Sequence, residues 1–265
     1  IVCEVGDQQR LTAAFELPPA SFREVEVADG LAAFSVNPDD ATEEWLEYQL
    51  RSRTLAGLLG SSRIFQYLAT AAPGLAEMVT IGKIWELAQL ERKTPSAAPY
   101  DLVIVDAPAT GHGLALLRAP RTFAEIARVG PIHRQAGIVD AFVHDPATTA
   151  VVAVALAEEM PVTETLELEA RLHDELGMEL DRVLVNALLP DRLRGADVGA
   201  VEAAADAGSA EARAALAATR SAHETVRAQR SQLARLRRGS AAKVTSLPHL
   251  LTADVGRNDL ERLSR

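Results

Sequence analysis

Six short runs rich in β-branched residues, at 1–5, 32–36, 102–106, 150–156, 182–186 and 243–247, constrain this chain more than any other feature of its sequence. Each is nearly continuous in apolar residues, the pattern a strand needs when both its faces are covered, as in a parallel sheet flanked by helices. The segments between the runs are long enough for helical crossovers, which parallel neighbours require. The expected fold is therefore α/β, a mostly parallel sheet with helices on both faces. The stretch 40–93 carries no strand pattern. Instead Trp45, Leu46, Leu50, Leu55, Leu58, Leu59, Ile64 and Leu68 recur at helical spacings until Pro73-Gly74 breaks the run. It reads as a helical insertion, and a second helical block, 121–145, is punctuated by Pro131 and Pro146.

A length of 265 residues fits one large domain with insertions, spanning 1–265. With 48% apolar and 24% charged residues, and no run near the roughly 18 apolar residues of a membrane span, disordered and integral helical membrane classes drop out. The single cysteine, Cys3, can form no internal disulfide and no thiolate cluster, which favours a reducing, cytoplasmic setting. A net charge of −10 argues against nonspecific nucleic-acid binding. That charge is unevenly spread. Between Glu211 and Arg238 seven arginines face two glutamates, so a long helix at about 208–238 is basic while the rest of the chain is strongly acidic. The helix is either a solvated face or a docking surface for an acidic partner. The Ala/Gly-rich patch 196–210 before it is the best linker candidate. The chain opens Ile1-Val2-Cys3-Glu4-Val5, inside a strand pattern, and so reads as a fragment.

Chemistry concentrates in Tyr100-Asp-Leu-Val-Ile-Val-Asp106-Ala-Pro-Ala-Thr110-Gly111-His112-Gly113, followed by Leu114, Leu116, Leu117 and Pro120. An apolar strand delivers Asp106 at its C-terminal end, where ligands bind in open α/β sheets. A carboxylate there either holds magnesium beside phosphates or caps the following helix. The Gly/Thr/Pro-rich loop after it has the composition of a conformational switch.

This string resembles the second switch of the ArsA-type anion-transporting ATPases, the superfamily of arsenite-pump ATPases and the targeting ATPase for tail-anchored membrane proteins, here most similar to its bacterial ArsA-like branch. Asp106, Thr110, Gly111, His112, Leu114, Leu116, Leu117 and Pro120 fit the family pattern. So do Ala72-Pro73-Gly74-Leu75, Gly130-Pro131-Ile132, Glu158-Glu159-Met160-Pro161 with Glu164-Thr165, Val185-Asn186, and Ser246-Leu247-Pro248 with Leu250-Leu251. The resemblance implies a P-loop NTPase fold using ATP and magnesium. Asp106 would be the metal-side carboxylate and Gly111 the backbone that senses the γ-phosphate. Asn186 would read adenine, since a neutral amide donates and accepts together, or would close a strand-end turn. Leu247, Pro248 and His249 would add backbone contacts to the base. A homodimer or a heterodimer with a paralogous ATPase is implied, with a client or membrane-protein partner on the helical segments 40–93 and 121–145. Met78, Ile81, Ile84, Trp85 and Leu87 crowd one helix there, lining either a groove or the core.

Two departures stand out. Where the family's first switch carries an aspartate that orients the attacking water, Leu11 and Phe15 align Gly6, with Asp7 one residue on and Glu4 two residues back. Asp7 is the expected substitute. The alternative is a non-catalytic or regulatory subunit of a heterodimer, which Gly6 and the basic helix favour. The phosphate loop ending Gly-Lys-Ser/Thr is absent from residues 1–265; the single Gly-Lys pair, Gly82-Lys83, falls in a helical region. The first βα unit of the fold is thus expected to be missing, and residues 1–265 alone are not expected to hydrolyse ATP. A lone Cys3 also fits neither the arsenite-binding cysteine trio nor the paired-cysteine zinc site of the family, and the six histidines show no metal-ligand spacing.

Overall fold

A computed structural model describes residues 1–6, 8–50, 74–93, 97–192, 197, 199–200, 209–252 and 255–264. The fold is α/β with mostly parallel strands, and the chain divides into two compact units, Ile1–Thr149 and Ala150–Arg265. The helical expectation for 40–93 and the linker at 196–210 lie partly outside the described residues.

The first unit is built on β1 (Val2–Val5), β2 (Val25–Ala28), β3 (Leu31–Val36) and β4 (Ile104–Asp106), in the order β2-β3-β1-β4. β1 runs parallel to both neighbours, with Glu4 opposite Ser35 on one side and Asp106 on the other. β2 pairs antiparallel with β3 through a hairpin whose Gly30 has φ +70°, a conformation glycine adopts without penalty. The sequence pattern did not predict β2. Val25 and Val27 alternate with polar neighbours, the signature of an edge strand with one covered face.

Around this sheet lie α1 (Arg10–Ala14), α2 (Pro38–Leu50), α3 (Leu75–Leu87), α4 (Thr110–Ala127) and α5 (Pro131–His144). α2 starts where Asn37 accepts the Asp39 amide, with proline in the first position and Asp39 and Asp40 in the first turn, all favourable at a helix N-terminus. The core joins Ile1, Cys3, Phe34 and Val36 of the sheet to Ile81, Ile84 and Leu87 of α3 and to Leu116, Val139 and Val143 of α4 and α5. Ile81, Ile84 and Leu87 are therefore core residues rather than groove lining, and Trp85 packs against the same cluster. The helical block expected to begin at 121 begins at Thr110, because buried Leu114 and Leu116 anchor an earlier turn; Pro120 lies inside α4.

The second unit holds β5 (Val151–Leu156), β6 (Leu180–Leu188) and β7 (Lys243–Pro248), all parallel, in that order. α6 (Glu159–Arg171) runs into a π turn, Leu172–Leu176, that Gly177 ends at φ +66°. α7 (Ala210–Gly239) is capped by Ser209, and α8 (Arg257–Leu263) follows β7. Only one stripe of α7 is buried, Val226, Gln229, Leu233 and Leu236, so most of its arginines face solvent. Gly239 packs so tightly that an added Cβ would sit 3.1 Å from Leu166. Coverage of both strand faces fails in this sheet: in β6 Val183 and Val185 share one fully buried face while Arg182 and Asn186 on the other are exposed and Leu184 is half-buried. In β5, an edge strand, Ala153 and Ala155 are likewise buried while Val154 is 66% exposed.

Candidate functional site

In the first unit the C-terminal ends of the parallel strands gather the polar residues. Asp106 closes β4, is exposed, and has no hydrogen-bond or ion-pair partner among the described residues. Ala107, Pro108 and Ala109 lead directly into α4. Ala109 offers no side-chain cap, and the first internal bonds run from the His112 and Gly113 amides to its carbonyl at 3.0 and 3.3 Å. The Thr110 and Gly111 amides precede those bonds and so are the helix's orphan donors, suited to an anion. The flexible loop expected through Gly113 is therefore three residues long, and residues 110–113 already form helix. Gly113 is required there, since a Cβ would sit 3.0 Å from the Pro108 carbonyl oxygen, whereas Gly111 is exposed with open space around it.

β1 contributes a second carboxylate. Glu4 is 3% exposed; its Oε1 accepts from the Arg10 amide at 2.8 Å and the Leu11 amide at 3.2 Å, while its buried Oε2 has no partner. Gly6 follows with φ +86°, its amide donating to the Val36 carbonyl at 3.0 Å and its carbonyl accepting from Ser35 Oγ at 2.7 Å. Asp7, the expected hydrolytic residue, lies outside the described residues. The exposed, unpartnered Asp106 suits a hard cation that keeps several waters and takes few protein ligands, whereas the free Glu4 oxygen is buried. No group of three or more His, Cys, Asp or Glu side chains is arranged to hold a metal among the described residues.

In the second unit Asn186 and Leu247–His249 come together at the ends of β6 and β7. Leu188 pairs with Pro248, and the His249 amide donates to the Leu188 carbonyl at 2.9 Å. Asn186 is exposed, and its Oδ1 accepts from the Ala187 amide at 2.8 Å. Ala187 has φ +54°, strained for a residue with a Cβ, and the ladder slips between Val185 and Leu188. Buried Gln229 holds this kink from α7: its Oε1 accepts from the Leu189 amide at 2.9 Å and its Nε2 donates to the Ala187 carbonyl at 3.3 Å. Sequence reasoning missed Gln229, although it shares the helical stripe of Val226, Leu233 and Leu236.

Residues 11–137 and 131–207 match the anion-transporting ATPase family. The chain belongs to that family. Proteins similar to it include "ATPase BagA" of Mycobacterium tuberculosis H37Rv and "Putative ATPase Mb3704" of Mycobacterium bovis, each 32% identical over 221 residues. These alignments take in 80% of this chain and 63% of each relative. Asp106, Gly111 and Asn186 fall inside the region that matches the anion-transporting ATPase family, while Glu4, Gly6 and Leu247–His249 lie beyond it.

Two further features of this family member bear on function. Gly82-Lys83 sits within α3, and Lys83 is buried with its ammonium on Glu44 at 2.8 Å and Glu86 at 3.2 Å, above the rings of Phe22 and Phe34. Such a lysine is not part of a phosphate loop. Beside it α2, α3, α4 and α5 enclose a cavity of about 810 Å³, lined by Trp45, Tyr48, Met78, Phe123 and Ile132 with Glu44 and Lys83 on one wall. Met78, for which the sequence left groove and core open, does both: it lines this hollow and packs against the core. Burial pushes the Cys3 thiol up to about 12, so it is an inert core residue. Among the described residues no helix is long and apolar enough to cross a membrane.

Proposed function

We propose that the full-length protein is a magnesium-dependent ATPase whose nucleotide cycle moves a helical effector-binding region. One observation carries the reading: Asp106, exposed and unpartnered, ends a parallel strand three residues before the uncapped N-terminus of α4. The carboxylate would hold magnesium, and the Gly111 amide would meet the γ-phosphate, both at the strand ends where ligands of such sheets bind. When bound, magnesium would neutralise charge on the phosphate oxygens. Open space around Gly111 leaves its backbone free to change with the phosphate. Within the second unit Asn186, with the backbone of Leu247, Pro248 and His249, forms a base-recognising patch that Gln229 stiffens.

The chain spans 63% of the length of the relatives it matches, and the names of those relatives support ATP hydrolysis. The cavity between α2, α3, α4 and α5 is offered to a client or a membrane-protein partner, and the protein works as a homodimer or with a paralogous ATPase in the cytoplasm. Gly6 favours a second reading, a non-catalytic subunit of a heterodimer. Its φ of +86° disfavours any side chain where the first switch would carry its aspartate. Asp106→Asn in the full-length protein should remove magnesium-dependent phosphate release, at least a hundredfold loss by analogy with other electrostatic contacts to the reacting group. Unchanged turnover in that variant would take Asp106 out of the site.

A further inference from the structure

We propose that the cavity between α2, α3, α4 and α5 binds a small apolar amine, a molecule with one ammonium head and an apolar body; from the reading above the proposal takes only that this helical region binds an effector. At about 810 Å³ the hollow falls within the roughly 300–1,000 Å³ of small-molecule sites. Its two ends differ in chemistry. Leu75, Met78 and Gly82 face it at helical intervals along α3, and Phe123 of α4 packs beside the start of that helix, 3.4 Å from where a Cβ on Gly74 would sit. Lys83 enters the lining eight residues after Leu75, about 12 Å along the helix axis, with Glu86 one turn further.

The polar end is suited to an ammonium. Three glutamates line the cavity, Glu44, Glu47 and Glu86, against two lysines, Lys83 and Lys93, a net charge of −1. The lysines show what this wall holds. Lys83 rests on Glu44 at 2.8 Å and Glu86 at 3.2 Å, and the Lys93 ammonium stands 4.2 Å from the centre of the Tyr48 ring. Lys83 is buried and doubly paired, so it stays. Lys93 is exposed, and its ammonium lies on a ring face that a ligand's ammonium can take over. With Lys93 turned out, three glutamates face one lysine, a charge of −2. Trp45 and Tyr48 lie one and four residues beyond Glu44 on α2, and aromatic faces beside a carboxylate are the setting that recognises alkylammonium groups. A carboxylate head would meet the opposite balance of charge.

Gly82 supplies the control. A Cβ there meets nothing within 4 Å, so Gly82→Leu fills open space in the hollow and replaces a residue that weakens helices. Its urea midpoint should equal or exceed that of wild type. Calorimetric titration of the full-length, nucleotide-free protein with dodecyltrimethylammonium, below its micelle concentration, should show one site per chain. Dodecanoate, of equal chain length and opposite charge, should bind at least about tenfold more weakly, and Gly82→Leu should lose about tenfold for the amine. Lys93→Met removes the competing ammonium and should tighten amine binding about threefold. Equal binding of the two probes, or weaker amine binding in Lys93→Met, overturns the ammonium assignment. Undiminished binding in Gly82→Leu places the ligand elsewhere and sinks the proposal. Absence of amine binding by wild type does the same, and an apolar helical peptide that binds there instead assigns the hollow to a polypeptide. Should Gly82→Leu fail to fold, Tyr48→Leu decides, since that ring is 61% exposed: about a threefold loss is expected, and wild-type affinity overturns the site. With no nucleotide present, none of these results bears on Asp106, whose own test is phosphate release.

Discussion

One carboxamide, Gln229, holds the backbone on which Asn186 stands. Both of its hydrogen bonds go to the kink after Asn186, where Ala187 is strained at φ +54° and the β6 ladder slips. Gln229→Ala leaves the Leu189 amide and the Ala187 carbonyl without those partners. It should cost about 1–3 kcal/mol, read as a lower midpoint in urea unfolding. Gln229→Glu keeps the acceptor for Leu189 but replaces the donor to Ala187 with an oxygen, so it should fall no less than halfway to the alanine variant; wild-type stability in both would mean the kink holds itself. Asn186 was legible because a polar residue ends an apolar run. Gln229 was not, because it sits in an Ala/Arg/Gln segment that reads as a solvated face. The signal was its helical phase with Val226, Leu233 and Leu236. Glu4 was legible as a carboxylate two residues before Gly6, but a glutamate inside a strand run shows that one oxygen is held by α1 and the other is buried only when its partners are counted.

Among elements, the helices of the first unit are joined to the sheet by a chain of charges, buried at Lys83, Glu86 and Arg92 and open at Glu24 and Glu44, that is invisible to periodicity. Tyr100 and Arg92 both bind Glu24 at 2.6 Å, Arg92 reaches Glu86 at 3.2 Å, and Glu86 meets Lys83, which ends on Glu44. The Arg92 side chain is 1% exposed. Burial alone would raise both carboxyls, but for Glu86 the charge of Lys83, the Lys93 amide and Arg92 more than offset it, and for Glu24 the bonds from Arg92 and Tyr100 do so. Both therefore lie below the ordinary 4.5. Groups with depressed values contribute stability above their unfolded value and lose it as pH falls through the folded one. Arg92→Met should therefore destabilise by about 3 kcal/mol near neutral pH. The gap to wild type should narrow as pH drops below 4.5. A gap constant with pH in urea titrations would show that the loss is one of packing. Sequence patterning legibly placed α3 and its core face, Ile81, Ile84 and Leu87. It could not reveal this chain, whose members are separated by up to 76 residues.

For the whole molecule, the six apolar runs correctly foretold β1, β3, β4, β5, β6 and β7, because continuous hydrophobicity leaves a strand few alternatives to a parallel sheet. What could not be read was how covered each strand would be, since coverage depends on neighbours; Val154 on edge strand β5 is as apolar as buried Val183 and Val185. The same contrast governs phosphate binding. The residues that would meet metal and base are written as recognisable strings, but gripping β- and γ-phosphates takes a cradle of consecutive backbone amides that a few side chains cannot imitate. Residues 1–265 contain no Gly-rich loop ending Gly-Lys-Ser/Thr, and the ammonium of Lys83 is buried on two carboxylates. The orphan amides at the start of α4 could touch one phosphate, a contact on the order of 1 kcal/mol at a helix N-terminus, far short of what holds a nucleotide triphosphate for turnover. Purified residues 1–265 should therefore release phosphate from magnesium-ATP no faster than their own Asp106→Asn variant, in an assay where the full-length protein turns over. Magnesium-dependent release by residues 1–265 that Asp106→Asn removes would mean that this chain grips the phosphates with groups of its own.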